Sequence, residues 1–246
     1  MSELSGRVAI VTGAARNIGL AIARELAQNG AAVAIVTRGD LGRAERAAEE
    51  IARGGGRAIA LRADVSDQQA VGAMVDATVS QLGRLDILVN NAGIRPESPF
   101  GTMTLEEWDQ VFAVNLDGPF LCIQAALPHL AKSDAAAIVN IGGLTAYTGA
   151  ANRAHVVAAK AGLDGLTKAL AVEFAPRGIT VNLVSPGLIA TERGEPVPEH
   201  HKTRVAPLGR RGRPEEVAAM VRLLVGPNGR YLTGQTIHVN GGIYLP

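Results

Sequence analysis

The stretch Thr12-Gly13-Ala14-Ala15-Arg16-Asn17-Ile18-Gly19 decides how the chain is read. It follows a short apolar, β-branched run, Arg7 to Val11, and opens a long amphipathic stretch, so it is a turn from a strand into a helix. Glycines at such a turn let the backbone bend tightly and approach a pyrophosphate, whose charge is held by the free N–H groups and dipole of the helix N-terminus. Asn17 stands where a third glycine is expected. After glycine, asparagine best tolerates a left-handed backbone, so the turn can still form. Alone, the turn has a second reading as a tight structural bend.

Outward from this turn, short β-branched runs alternate with amphipathic stretches, the pattern of a parallel sheet covered by helices on both faces. The expected strands are Arg7 to Val11, Ala32 to Val36, Ala58 to Arg62, Leu85 to Asn90, Ala136 to Ile141, Thr180 to Ser185 and Thr236 to Val239. Seven strands fit one doubly wound, Rossmann-type α/β domain spanning residues 1–246. Ser66 with Gln69 and Thr104 with Glu107 have capping-box spacing at helix starts, and Gly30, Gly54 and Gly178 follow helical stretches as stops. Gly54-Gly55-Gly56 is too short for a linker and reads as a turn.

Composition narrows the function. The 246 residues carry 24 Lys+Arg against 23 Asp+Glu, a formal charge of +1, and only 3% aromatic residues. That leaves no basic field for a phosphate backbone and few rings for base stacking, so no nucleic-acid partner is expected. The cluster Arg204, Arg210, Arg211 and Arg213 is expected to be a solvated loop. The one cysteine, Cys122, lies in an apolar run and is expected in the core. Residues 1–7 hold no apolar signal stretch, and no run approaches the roughly 18 apolar residues of a membrane span. A cytoplasmic setting with no membrane contact is the expectation. Glycine, at 29 residues, is well above its usual share of about 7%.

The phosphate turn is joined by Asp64-Val65 after the third strand, Asn90-Asn91-Ala92-Gly93 after the fourth, Asn115 and Lys160 in later helices, and Pro186-Gly187 after the sixth strand. In this ordered set, from Gly6 to Val239-Asn240-Gly241-Gly242, the chain resembles the short-chain dehydrogenase/reductase family and, within it, the 3-oxoacyl-carrier-protein reductase branch. The resemblance implies a nicotinamide cofactor: Gly13, Arg16, Asn17, Ile18 and Gly19 at the pyrophosphate, Asp64 and Val65 at the adenine, and Asn91, Ala92 and Gly93 along the cofactor. It further implies Pro186, Gly187, Ile189 and Thr191 near the nicotinamide and Lys160 at its ribose. Arg16 and Arg38 occupy the two basic positions that hold a ribose 2′-phosphate in NADP-preferring members, and position 37, acidic in NAD-preferring ones, is Thr37. A guanidinium matches a phosphate bidentately, so NADP(H) is expected over NAD(H).

The family's chemistry uses a serine after the fifth strand, a tyrosine thirteen residues on and a lysine four beyond. Counting back from Lys160 puts Val156 at the tyrosine position and Gly143 at the serine position, and no Tyr-x-x-x-Lys occurs anywhere in the chain. Neither replacement can donate a side-chain proton. Asn115 and Lys160 remain as implied catalytic residues, with Tyr147 as a candidate substitute acid in the loop expected to border the cleft. His155 lies about 140° from the Lys160 face of its helix and is expected to point elsewhere. Arg153 shares that face, and with Arg95 it is a candidate anion clamp for substrate. His200-His201 lack a third ligand at suitable spacing, so no metal is assigned. Residues 191–213, with Pro196, Pro198 and Pro207, are the expected substrate lid.

The leading expectation is therefore an NADP(H)-binding oxidoreductase with an atypical active site. It would reduce an enoyl group, or a keto group through Tyr147 or water, of a small or thioester substrate. The alternative is a catalytically retired member serving as sensor or partner subunit; a cofactor-independent lyase or isomerase is disfavoured by the intact Arg16, Asp64 and Asn91. A homodimer or homotetramer, through the helices carrying Asn115 and Lys160 and the C-terminal Tyr244-Leu245-Pro246, is implied by the resemblance.

Overall fold

A computed structural model describes residues 2–192 and 205–246. The seven strands are β1 (Val8–Thr12), β2 (Ala32–Thr37), β3 (Arg57–Arg62), β4 (Ile87–Asn90), β5 (Ala137–Ile141), β6 (Thr180–Pro186) and β7 (Thr236–Val239). They form one sheet in the order β3-β2-β1-β4-β5-β6-β7, and every pairing is parallel. The expected strands are all present, with ends shifted by a residue or two; β4 starts at Ile87 because Asp86 is occupied in hydrogen bonds with the Val8 amide and Arg84.

Helices α1 (Asn17–Gln28), α2 (Leu41–Arg53) and α3 (Gln68–Leu82) follow the first three strands. A long helical run joins α4 (Leu105–Phe112) to α5 (Gly118–Leu130), then come the short α6 (Thr145–Thr148), α7 (Ala154–Phe174) and α8 (Pro214–Val225). The sheet is buried on both faces, which is why its strands read as continuous apolar runs. Ile22, Leu26, Val217 and Val221 of α1 and α8 pack on one face, and Met74, Ile123, Ala126 and Phe174 on the other. Cys122 lies in the second core, fully buried, and burial pushes its thiol up to about 12, an inert core residue.

Two local expectations are corrected. Thr104 and Glu107 make the expected capping box, but α3 is capped by Asp67, whose carboxylate accepts from the Gln69 and Ala70 amides. Ser66 instead donates its amide and hydroxyl to Asp64, because a neighbouring carboxylate is the stronger acceptor. The run Leu105–Leu130 reaches a mean hydropathy of 1.3 over an 18-residue window, long and apolar enough to cross a membrane by length and composition, against the expectation that no segment is. Its apolarity has a local use: Cys122, Ile123, Ala126 and Leu130 face the sheet and are buried there.

The chain reverses its winding between β1 and β4, and a crevice opens at the carboxyl ends of these strands. In open α/β sheets this is where ligands bind.

Candidate active site

The turn after β1 builds one wall of this crevice. Gly13 has φ +63°, and a side chain there would meet the Ala92 backbone at 2.9 Å. Asn17 has φ +53°, the left-handed conformation expected of it, and its side chain both donates to the Glu192 carbonyl and accepts from the Glu192 amide. Arg16 is the N-cap of α1 and places no side-chain hydrogen bond on the helix. The first-turn amides are thus left to an external acceptor, which suits a pyrophosphate.

Asn91 locks this turn to β4. Its side chain donates to the carbonyls of Thr12, at 2.8 Å, and Gly13, at 3.1 Å, while the Thr12 hydroxyl accepts from the Asn91 and Ala92 amides. A Cβ on Gly19 would lie 2.5 Å from both the Asn91 amide nitrogen and the Gly13 carbonyl oxygen. Gly19→Ala is therefore expected to force the turn apart, costing roughly 1–3 kcal/mol and abolishing dinucleotide binding. Paired thermal melts with and without NADPH check this; an unchanged NADPH-induced shift would contradict it.

The crevice runs in two connected parts that share Ile18, Asn91, Gly93, Arg95 and Thr191. The larger, about 560 Å³, is lined by Arg16, Arg38, Asp64, Val65 and Ala92. The Arg38 guanidinium stands 3.6 Å from the Asp64 carboxylate with most of its side chain in solvent. Burial works to raise the Asp64 carboxyl, but the Ser66 hydroxyl and amide and Arg38 together hold it below its ordinary value. A cation at this end of the crevice and open to water is suited to a phosphate.

The smaller part is the candidate reacting end. Lys160, Gly93, Gly142, Gly143, Val156, Pro186, Gly187 and Ile189 line it. The long helical run opens into a π-turn over Ala113–Asp117, which brings the fully buried Asn115 inward. The Asn115 side chain brackets Ile94, accepting from its amide at 3.1 Å and donating to its carbonyl at 2.9 Å. Lys160 donates from Nζ to the Ile141 carbonyl at 2.7 Å. Burial, assisted by the nearby Arg95 guanidinium, pushes the Lys160 ammonium from its ordinary value down to about 7.

That shift has a defined sign. Between about pH 7 and about pH 10 the unfolded chain holds a proton at this site that the folded chain has released, so stability rises with pH across the window. Denaturant midpoints measured through this range should climb more steeply in the native sequence than in Lys160→Met; parallel slopes would refute the assignment.

The remaining candidates divide. Tyr147 does not border the cleft. Its ring stacks edge-on against His238, centroids 4.7 Å apart, and lies 5.5 Å from Tyr244. α6 turns it toward β7 and the C-terminal segment, and burial pushes its phenol up to about 12, with Thr236 opposing and Asp164 adding to the rise. The role of substitute acid expected for Tyr147 is thereby withdrawn. His155 is fully buried and does not line the cleft, as its helical angle implied.

Arg153 and Arg95 both line the reacting end, but Arg153 is already paired with Glu97. Residues 193–204 of the expected lid, with Pro196, Pro198, His200, His201 and Arg204, lie outside the described residues. Sequence reasoning missed Thr145, the first residue of α6, which with Thr191 supplies the side-chain hydroxyls among the described residues lining this end. Its one signal was its place two residues past Gly143.

Known proteins resemble the chain over nearly its whole length. Residues 13–244 match the family model described as Enoyl-(Acyl carrier protein) reductase. The 3-oxoacyl-[acyl-carrier-protein] reductase of Staphylococcus aureus is 43% identical over 240 residues, covering 96% of this chain and 98% of that protein. A dehydrogenase/reductase from Sinorhizobium meliloti 1021 superimposes with a TM-score of 0.94 at 40% identity, covering 99% of this chain and 97% of its own. A short chain dehydrogenase from Burkholderia cenocepacia J2315, solved in complex with NADP, superimposes with a TM-score of 0.92 at 38% identity, covering 98% of this chain and 99% of its own.

Proposed function

The chain belongs to the short-chain dehydrogenase/reductase family as an NADP(H)-binding oxidoreductase, and from that premise we propose that it reduces a conjugated enoyl or keto group of a small or thioester substrate without a tyrosine acid. What supports this reading is that Gly143, Val156 and Lys160 all line the reacting end, where counting by the family's spacing from Lys160 puts the first two at its serine and tyrosine positions.

The residues present fit the cofactor. The uncapped N-terminus of α1 and the Gly13–Gly19 turn suit a pyrophosphate, Arg16 and Arg38 a 2′-phosphate, and Asp64 and Val65 an adenine. Gly93, Pro186, Gly187, Ile189 and Thr191 leave room for a nicotinamide ring, which when bound supplies or accepts a hydride.

The protein's own part is then to hold the substrate's unsaturated group and manage its proton. Thr145 lines the reacting end, and its hydroxyl is the donor we assign to the substrate's carbonyl oxygen. Lys160, whose ammonium burial pushes down to about 7, lines the same end and is the group we assign to stabilise negative charge developing on that oxygen and to supply a proton. Hydride addition to a conjugated carbon puts the new charge on an enolate, which needs stabilisation more than immediate protonation. This favours the enoyl substrate.

NADPH oxidation followed by absorbance with paired enoyl and 3-oxoacyl thioesters tests the reading. Faster turnover of the enoyl thioester, falling as pH rises above about 7 where Lys160 deprotonates, is the expected result. Tight NADPH binding with no turnover of either would instead support a retired member acting as sensor or partner subunit, a reading favoured by the joint absence of both hydroxyls. A cytoplasmic homodimer or homotetramer belongs to the same proposal, supported by Phe120 and Val172, apolar and exposed on α5 and α7. Light scattering checks the assembly.

A further inference from the structure

Three cations, Arg95, Arg153 and Lys160, line the reacting end, and among the described residues lining it there is no carboxylate. The larger part of the crevice carries the basic groups suited to a nucleotide, and Arg153 does not line that part. Arg153 thus belongs to the reacting end rather than to the part suited to the nucleotide.

The burial of Arg153 is unusual for a guanidinium: it is 5% exposed. A charge so deeply withdrawn from water requires an anionic partner, since leaving one uncompensated is strongly destabilising. Glu97 supplies it in the structure, one carboxylate oxygen, Oε1, standing 3.1 Å from both Nε and Nη2 of Arg153. The two partners are unequally placed. The Glu97 side chain is 40% exposed and that of Arg153 6%, so the carboxylate is the partner nearer to solvent. A guanidinium fork matches both oxygens of a carboxylate, and here Nε and Nη2 face the same Glu97 oxygen.

We propose that Arg153 is the subsite for a carboxylate group on the substrate, and that Glu97 is an internal stand-in displaced when the substrate arrives. The inference rests on the reading of this cleft as the reacting end of a reductase and specifies its substrate class: a small oxo- or enoyl-carboxylate whose anion lies at Arg153. Arg153 is the N-cap residue of α7 and precedes Val156 by three residues, and both line the reacting end.

The test uses the full chain saturated with NADP+, titrated calorimetrically with crotonate and acetoacetate and with their methyl esters. At least one acid should bind about tenfold or more tighter than its ester. Arg153→Gln should abolish that preference with NADPH affinity retained, and Arg153→Lys should retain part of it. Glu97→Gln should move the other way, tightening the acid about threefold or more by removing the competing carboxylate. A merely structural ion pair would weaken both variants alike and leave the acid-to-ester ratio unmoved.

The inference is overturned if neither acid outcompetes its ester, including the case in which none of the four binds, or if Arg153→Gln keeps the preference. Should Arg153→Gln fail to fold, the opposite shift in Glu97→Gln decides the matter. Failure of NADPH binding in the same titrations sinks the reductase reading, whereas NADPH binding without acid preference sinks the carboxylate subsite alone.

Discussion

Gly143→Ser combined with Val156→Tyr is expected to raise NADPH-dependent reduction of a 3-oxoacyl thioester by about 10²- to 10⁴-fold, the range a positioned general acid contributes. The backbone is prepared for both groups. A Cβ on Gly143 would meet no heavy atom within 4 Å, so a serine fits without displacement. Val156 is 2% exposed, packed with Val111 and Ala159, yet it lines the reacting end, so a phenol must extend from that apolar base into the cleft. Repacking around the ring should cost about 1–3 kcal/mol.

Lys160, one turn along α7, would lie beside the new hydroxyl, and its positive charge favours the phenolate form. Serine alone should add little because the proton donor is still missing; tyrosine alone should recover part of the gain. Initial rates of all three variants, with melting curves to confirm folding, measure the effect. A folded, NADPH-binding double variant no faster than the native sequence would show that more than two hydroxyls separates this site from a ketoreductase.

Arg38→Ala should weaken NADPH binding by about 10- to 100-fold while leaving NADH within about twofold, because a charged hydrogen bond contributes about 1.5–3 kcal/mol and NADH has no 2′-phosphate to receive it. Adding Arg16→Ala should deepen the NADPH loss, because both cations line the larger part of the crevice from separate elements, the N-cap of α1 and the turn after β2. Removing Arg38 also frees Asp64 from a positive neighbour, which should allow its carboxyl to rise. Fluorescence titration with both cofactors, at two salt concentrations, measures the selectivity. Equal losses for NADPH and NADH would mean that Arg38 serves the turn rather than the phosphate.

Much of this was legible along the chain. Alternating apolar and amphipathic segments announced every strand, and the left-handed Asn17 followed from the turn's spacing and asparagine's tolerance of positive φ. The off-face angle of His155 was likewise readable, since helical geometry is periodic. Where two local acceptors competed, as at Ser66 and Asp67, spacing alone chose the wrong cap.

The amino-acid sequence by itself determined the doubly wound scaffold and the Gly13–Gly19 turn, and it named Gly143, Val156 and Lys160, which the fold brings to one end of the crevice, and Arg16 and Arg38, which line the other. These depend on backbone periodicity and on residues close in the chain, so their physics is local. Only the tertiary structure decided where Tyr147 goes, that Thr145 lines the reacting end, that Glu97 occupies Arg153, and that Lys160 is held near neutrality. These depend on elements far apart in sequence: β7 meets the phenol, and burial beside β5, with the charge of Arg95 added, lowers the ammonium. Burial and charge at a point in space are sums over the whole packed fold, and a one-dimensional pattern does not carry them.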